Sequence, residues 1–156
     1  MKIFITLGTT PFDGLIQYCD ENIDHSKYTI KAQISNQALY HAKHFESFEY
    51  TNDIQGYYDW ADVVISHAGA GSFYKLMEHK KKVIFVPNVT LKDNHQDDLC
   101  RYAEMNNFAF VLNDYANLNV LLEKMISYEF SIYQKEENKI AEYIIGLINE
   151  EIRIRE

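Results

Sequence analysis

The sequence predicts an α/β fold, a single Rossmann-like domain in which helices cover both faces of a parallel sheet. Short apolar runs alternate with amphipathic segments along almost the whole chain. The 156 residues are about the size of one domain, and no repeat, low-complexity tract or linker interrupts them. Strands that alternate with helices are joined by right-handed crossovers, and these connections produce a parallel sheet.

Six short segments are predicted as strands. The first, "KIFITL", is apolar, the second alternates and carries β-branched residues, and "DVVISH" is typical of a fully buried strand. The segment "HFESFEY" shows the weakest pattern of the six. The predicted strands are residues 2–7, 28–35, 44–50, 62–67, 82–88 and 108–112.

Helices are predicted between and after these strands. The fourth helix could begin with Asp93 or Asn94 as its cap. In the last helix apolar residues recur at helical spacing from Ile140 to Ile148. We therefore predict one domain over residues 1–156, with residues 133–156 as a carboxy-terminal helix. The predicted helices are residues 12–22, 53–61, 73–79, 93–107, 117–128 and 133–152.

The composition excludes several classes of function. The net charge of −8 argues against nucleic-acid binding and against passive adhesion to an anionic membrane. Cys19 and Cys100 lie far apart, which suggests free thiols in a reducing compartment. "MKIFITL" has no export-signal pattern, and no apolar run is long enough to span a bilayer. The histidines show no metal-ligand spacing, so neither a metal nor a cofactor is predicted.

Parallel sheets of this type bind ligands outside the carboxyl ends of their strands. Four segments follow predicted strands and should lie along that edge. They are Thr9 and Thr10, the segment from Gln33 to Asn36, the segment from His67 to Ser72, and the loop from Asn88 onward.

The stretch "SHAGAGS" is the most informative of these segments. Gly69 and Gly71 permit positive φ and a close approach of the backbone. Free amides in the first turn of the following helix favour a phosphate, and Ser72 could cap that turn or donate to a phosphate oxygen. Alternatively, the glycines only allow tight packing between strand and helix. The stretch matches neither a P-loop nor a dinucleotide fingerprint.

Two other segments offer polar side chains. Asn94, His95 and Gln96 stand at a helix start and suit a hydroxyl-rich ligand, although ordinary helix capping explains them as well. The hydroxyls of Thr9 and Thr10 could contact a diphosphate, with Asp13 as a cap, although a turn without a ligand is equally open.

His67 follows a buried strand and could be a general base, a phosphate donor or a structural link. Asp59 and Asp62 precede that strand and should lie at its far end, so no Ser-His-Asp arrangement is predicted. We favour a binding or structural role, which leaves His67 as a weak catalytic candidate and the catalytic residues unassigned.

The motifs "FITLGTTPFDGLI", "VVISHAGAGS" and "DNHQ" occur in this order within residues 1–115. Together they resemble the Alg13-like proteins, the small subunit of a two-part UDP-sugar glycosyltransferase. The bacterial PssE-type and EpsF-type enzymes are similar. The wider group is the carboxy-terminal half of the MurG-like GT-B enzymes, the glycosyltransferase family 28 C-terminal domain.

The resemblance implies one half of a GT-B fold that binds a UDP-sugar of the UDP-GlcNAc or UDP-galactose class. It implies an inverting, metal-independent transfer with a membrane-anchored Alg14-like subunit, which supplies the lipid-diphosphate-linked acceptor for surface polysaccharide synthesis. The general base could lie on that partner. The chain would be cytoplasmic and peripheral at the membrane through the partner, and residues 133–156 could contact it.

When the family's site is matched to this sequence position by position, the resemblance implies a donor site formed by several segments. Its residues are Gly8, Thr9, Gln33, His67, Gly69, Ala70, Gly71, Ser72, Asn94, His95 and Gln96. Thr10 is added because its hydroxyl could contact a diphosphate.

This chain departs from its relatives at Lys75, where the resemblance implies an acid that holds the ribose hydroxyls. Glu78 is the only nearby replacement, so we include it among the predicted donor contacts. The departure motivates an alternative function, a non-catalytic regulatory or binding module that keeps the fold without productive donor binding.

Overall fold

Six parallel strands form the sheet in the computed structural model, which describes residues 1–88 and 95–135 but not the side chain of His95. The strand order β3-β2-β1-β4-β5-β6 confirms the predicted Rossmann-like α/β fold. All six predicted strands are present. They are β1 (Lys2–Thr6), β2 (Thr29–Gln33), β3 (Glu46–Phe48), β4 (Val63–Ser66), β5 (Lys82–Phe85) and β6 (Phe110–Val111).

The register brings the carboxyl ends of the central strands level with one another. Thr6, the last residue of β1, lies opposite Gln33 of β2 and Ser66 of β4. The strand order reverses direction between β1 and β4, which is the switch point where such sheets open a crevice.

Alternation along the strands divides the interior into two apolar cores. Ile3 and Ile5 of β1 point into one core and Phe4 into the other, because successive strand residues face opposite sides. Within the described ranges, five helices cover these cores. They are α1 (Asp13–Asn22) and α5 (Leu118–Met125) on one face, and α2 (Ile54–Trp60), α3 (Ala70–Glu78) and α4 (His95–Met105) on the other, with a 3₁₀ turn at Tyr115–Asn117 before α5.

Helix α3 begins at Ala70, three residues earlier than predicted. Gly69 is the N-cap with an extended backbone (φ −69°, ψ 133°), and its carbonyl already accepts from the Phe73 amide at 2.9 Å. Ser72 therefore lies inside the first turn, and its predicted capping role is wrong. Phe73, Leu76 and Met77 are buried as predicted.

Asp13 does not cap α1, because Phe12 is its N-cap and Asp13 its first helical residue. The Asp13 carboxylate instead accepts hydrogen bonds from the backbone amides of Leu39 and Tyr40, at 3.0 and 3.1 Å. It ties α1 to the loop between β2 and β3.

The carboxy-terminal part of the prediction is only partly described. Residues 133–135 are not helical, so the predicted helix does not begin at residue 133. Asp93, Asn94 and residues 136–156 lie outside the described residues. In the described part of the chain, no helix is both long and apolar enough to cross a membrane.

Candidate functional site

A cavity of about 330 Å³ opens at the carboxyl edge of the sheet. The ends of β1 and β2, the start of α2 and the first turns of α3 form its walls. Its lining consists of Thr6, Gly8, Gln33, Ile54, Tyr58, Gly71, Ser72 and Lys75.

Neutral hydrogen-bonding groups form one side of the cavity. The Thr6 hydroxyl donates to Gln33 Oε1 at 3.0 Å. The Tyr58 hydroxyl lies near the side chains of Thr6 and Ser72, so one phenol stands where β1, α2 and α3 meet. Burial raises the pKa of Tyr58, and these two neighbours partly oppose the rise. The tyrosine therefore stays neutral and can donate or accept at the cavity wall.

Helix α3 gives the opposite side a positive potential. The amides of its first turn have no partner within the helix, and the helix dipole adds partial positive charge at this end. No acidic residue stands in that turn, and the exposed Lys75 lines the cavity one turn later. This side suits an anionic group such as a phosphate.

His67 packs beneath this edge, between two glycine backbones. A Cβ atom at Gly8 would lie 3.2 Å from His67 Cε1, and one at Gly69 would lie 2.5 Å from His67 Nε2. The imidazole does not line the cavity. Its buried Nδ1 makes no hydrogen bond within normal geometry, although the Thr6 carbonyl lies near enough to act on the ring. Burial lowers the pKa of His67, and that carbonyl partly offsets the effect.

The sequence predicted positive φ and a close backbone approach for the glycines of "SHAGAGS". The structure assigns these two properties to different glycines. Gly8 has the positive φ, at 59°, whereas Gly69 and Gly71 do not. Gly69 shows the close approach, although it is made to the His67 side chain. Nothing lies within 4 Å of a Cβ placed at Gly71, so its missing side chain leaves space at the cavity.

The structure brings only some of the predicted donor residues to the cavity. Gly8, Gln33, Gly71 and Ser72 line it directly. His67 and Gly69 pack beside it, as described above.

The other predicted positions lie apart from the cavity lining or outside the described residues. Thr9 is exposed, and its carbonyl accepts from the Ser35 hydroxyl at 2.8 Å. Ala70, exposed at the start of α3, and Thr10 are also absent from the lining. Gln96 Oε1 accepts from the Asn88 amide at 3.0 Å, so this side chain ties α4 to the end of β5. Asn94 and the side chain of His95 are not described.

Glu78 does not replace the missing acid at the cavity. It is the last residue of α3 and forms an ion pair with Lys135 at 2.9 Å. We therefore remove Glu78 from the candidate donor contacts.

Three lining residues, Thr6, Ile54 and Tyr58, were absent from the sequence prediction. The signal for two of them was available, because α2 follows β3 and must begin at the same edge of the sheet. Ile54 and Tyr58 are spaced i, i+4 and so share one helix face.

Comparison with known proteins agrees with this geometry. Residues 2–145 match the glycosyltransferase family 28 C-terminal domain. The chain belongs to this family. The edge of the sheet described above therefore belongs to a domain of this family.

Curated relatives carry transferase names. The UDP-N-acetylglucosamine transferase subunit ALG13 of Mus musculus is 32% identical over 112 residues, which cover 64% of this chain and 10% of that protein. The ALG13 subunit of Yarrowia lipolytica is 32% identical over 117 residues, which cover 64% of this chain and 58% of that protein. The chain thus spans less than two thirds of either relative.

Solved structures share the fold. The solution structure of ALG13 superposes with a TM-score of 0.57 at 18% identity, covering 92% of this chain and 94% of the other. MurG from Acinetobacter baumannii gives 0.58 at 16% identity, covering 81% of this chain and 42% of the other. These likenesses show the fold alone. Together with the family match, they show that the chain has the Rossmann-like fold of one half of the GT-B architecture.

Proposed function

We propose that this chain is the donor-binding subunit of an inverting, metal-independent UDP-sugar glycosyltransferase. The donor belongs to the UDP-GlcNAc or UDP-galactose class. The observation that carries the proposal is the cavity at the switch point, which has hydroxyl and amide groups on one side and the amino end of α3 with Lys75 on the other. A nucleotide sugar offers the matching chemistry, polyol hydroxyls joined to a diphosphate.

The cavity also suits the departing group of the reaction. In an inverting transfer an acceptor hydroxyl attacks the anomeric carbon, the bond to the diphosphate breaks, and UDP leaves with the electron pair. Negative charge grows on the diphosphate as it departs. The α3 amides and the Lys75 ammonium support the proposal because they would stabilise that charge without rearrangement.

The reaction also needs a base to take the proton from the acceptor hydroxyl. Among the described residues, none that lines the cavity is a carboxylate, and His67 packs beneath the edge instead of facing the cavity. We place the base on a second subunit, which would supply the acceptor-side half of the GT-B enzyme. His67 then supports the edge and is not a catalytic residue.

We propose metal independence on a similar basis. Mg²⁺ at phosphate sites is held by carboxylates, and the lining residues that the structure describes provide none. The amino end of α3 and Lys75 would supply the positive charge instead.

The partner in this proposal is a membrane-anchored Alg14-like subunit that presents a lipid-diphosphate-linked saccharide. The chain would act in the cytoplasm at the membrane face, in surface polysaccharide synthesis. The relatives named ALG13 are transferase subunits by name, which supports a two-part enzyme. The experiment is to mix the chain with such a partner, the lipid acceptor and UDP-sugars, and to measure transfer. No transfer with any UDP-sugar would contradict the proposal.

Donor binding can be tested without the partner. Calorimetric titration with UDP, UDP-GlcNAc and UDP-galactose should show binding that weakens in Ser72→Ala and in Gly71→Val. Ser131→Ala is the matched control, because Ser131 is exposed and lies outside the cavity lining.

The alternative is a non-catalytic regulatory module. It draws on Lys75, because an ammonium cannot accept hydrogen bonds from ribose hydroxyls as a carboxylate can. Absence of nucleotide binding, both alone and with the partner, would favour this alternative.

A further inference from the structure

A second polar cluster lies at the opposite edge of the sheet, away from the donor cavity. Its members are Asp20, His25 and His44. Asp20 is near the end of α1, which runs back from the carboxyl edge, and the two histidines shortly precede β2 and β3. All three therefore lie at the amino ends of the strands.

The Asp20 carboxylate is 2% exposed and held from several directions. Oδ2 accepts from the Tyr40 hydroxyl at 2.8 Å and from the Lys43 amide at 2.9 Å. Oδ1 accepts from the His44 amide at 2.8 Å. Although burial opposes ionisation, these hydrogen bonds keep the pKa of Asp20 below its usual value. The result is an ionised, oriented carboxylate.

Two imidazoles stand over this carboxylate. His44 Nδ1 lies 3.2 Å from Asp20 Oδ1, and His25 Nε2 lies 2.9 Å from the Asp20 backbone oxygen. The two rings stack with their centroids 5.2 Å apart. One ligand atom from each of the three residues can be chosen so that all lie within 4.8 Å of one another.

We propose that Asp20, His25 and His44 bind one divalent transition-metal ion, of which Zn²⁺ is the best fit. This site is separate from the donor cavity and does not rest on the proposed transferase function.

The geometry suits zinc. Ligand atoms at about 2.0–2.1 Å from a tetrahedral zinc ion are about 3.3 Å apart. The Asp20 Oδ1 to His44 Nδ1 distance of 3.2 Å already meets this requirement. A ligand nitrogen of the half-buried His25 already lies within 4.8 Å of the other two ligand atoms. The His44 side chain is 59% exposed, so solvent can supply the fourth ligand.

The surroundings are also those of a metal site. Metal-bound carboxylates and histidines are commonly oriented by hydrogen bonds from an outer set of groups. The Tyr40 hydroxyl and the Lys43 amide do this for Asp20, on the oxygen that does not face His44. Neutral imidazoles and a mixed nitrogen and oxygen ligand set favour Zn²⁺ over Mg²⁺ or Ca²⁺.

Binding would join three separate segments. The ion would link α1, the loop before β2 and the loop before β3. Because an ion that binds only the folded chain stabilises it, Zn²⁺ should raise the thermal unfolding midpoint.

The test uses the full chain after treatment with a chelator. Equilibrium dialysis against Zn²⁺ should give one ion per chain, and Co²⁺ should give visible absorption bands typical of tetrahedral coordination. His25→Ala and His44→Ala should each weaken Zn²⁺ binding at least about tenfold, by analogy with the 10–100-fold losses at outer positions of metal sites.

His41→Ala is the matched control, because His41 is an exposed histidine of the same loop and does not belong to the cluster. Circular dichroism checks that each variant folds, so that a loss of binding is distinguished from a loss of structure. Three outcomes would overturn the proposal: no stoichiometric binding, binding unchanged in both histidine variants, or an equal loss in His41→Ala. In each case the cluster is only a hydrogen-bonded link between loops.

Discussion

Lys75 distinguishes this cavity from the one that its family resemblance implies. The ammonium lines the cavity one turn beyond the free amides of α3, where it can contact a phosphate oxygen but cannot accept from a ribose hydroxyl. If the chain binds a UDP-sugar, the donor's affinity should therefore depend on its phosphates more than on its ribose.

Lys75→Ala should weaken UDP binding about five- to tenfold, since an exposed charge contributes about 1 kcal/mol. Uridine, which has no phosphate, should lose little affinity in the same variant. Calorimetric titration at low and high salt measures both effects, and the loss for UDP should shrink at high salt. Equal losses for UDP and uridine would contradict a phosphate contact.

Tyr58 should stabilise the cavity wall through its hydroxyl. Tyr58→Phe removes the hydroxyl that lies near Thr6 and Ser72. If it makes hydrogen bonds there, the free energy of unfolding should fall by about 1 kcal/mol. Urea denaturation measures the change. Tyr74→Phe is the control, because Tyr74 is 44% exposed and outside the cavity. A loss of the same size in both variants would argue against the hydrogen bonds.

His67 should make stability depend on pH. Its folded-state pKa is lowered by burial, whereas the unfolded chain has the ordinary value of about 6.5. As the pH falls below about 7, the unfolded state binds a proton first, so the free energy of unfolding decreases until the pH is below the folded-state pKa. In His67→Gln this part of the slope should disappear. The measurement is urea denaturation between pH 5 and 8, and an unchanged slope would exclude His67 as its source.

At the scale of elements, the start of α3 combines a close contact with an open space. Gly69 caps the helix against His67, and Gly71, two residues on, leaves room at the cavity. The same residue type thus serves stability at one position and ligand access at the other.

This pair gives a matched test. Gly69→Ala should destabilise the fold by about 1–3 kcal/mol, because a methyl group would overlap His67 Nε2. Gly71→Ala should leave stability within about 0.5 kcal/mol and weaken UDP binding about tenfold, because its methyl group enters the cavity. Thermal unfolding and calorimetry separate the two effects. If Gly71→Ala lowered stability and Gly69→Ala weakened UDP binding, the roles proposed for the two glycines would be wrong.

The periodicity of the chain was sufficient to predict the strands and the helices between them. All six strands were located. "KIFITL" and "DVVISH" are bounded apolar runs, and the other strand segments alternate with helical segments along the chain. The start of α3 was missed because Gly69 and Gly71 have low helix propensity, which tertiary packing of Phe73 overrides. Local sequence contains no information about such packing.

The site was harder to predict than the fold. Gln33, Gly71 and Ser72 could be selected because they lie at or just after the carboxyl ends of predicted strands. Tyr58 reaches the cavity only through the placement of α2 against β1, and Asp20, His25 and His44 meet only because three segments converge. The helix spacing of Ile54 and Tyr58 indicates a shared face, whereas the three residues of the Asp20 cluster leave no spacing pattern along the chain.

At the scale of the whole molecule, the carboxy-terminal segment is the candidate partner contact. Its sequence carries an apolar stripe from Ile140 to Ile148. Removing residues 140–156, which include this stripe, should reduce complex formation with an Alg14-like subunit while UDP binding by the isolated chain is retained. Size-exclusion chromatography of the mixture measures assembly. Undiminished assembly would remove this segment from the proposed interface.

The donor cavity and the Asp20 cluster lie at opposite ends of the same parallel strands. If a chain were immobilised through His25 and His44 on a metal-chelate sensor chip, its strands would point away from the chip surface. Molecules held in this way would present the cavity toward the flowing solution, open to nucleotide sugars and to an incoming subunit. The fold thus offers an oriented attachment point, without an added tag, on the side where attachment interferes least with the ligand.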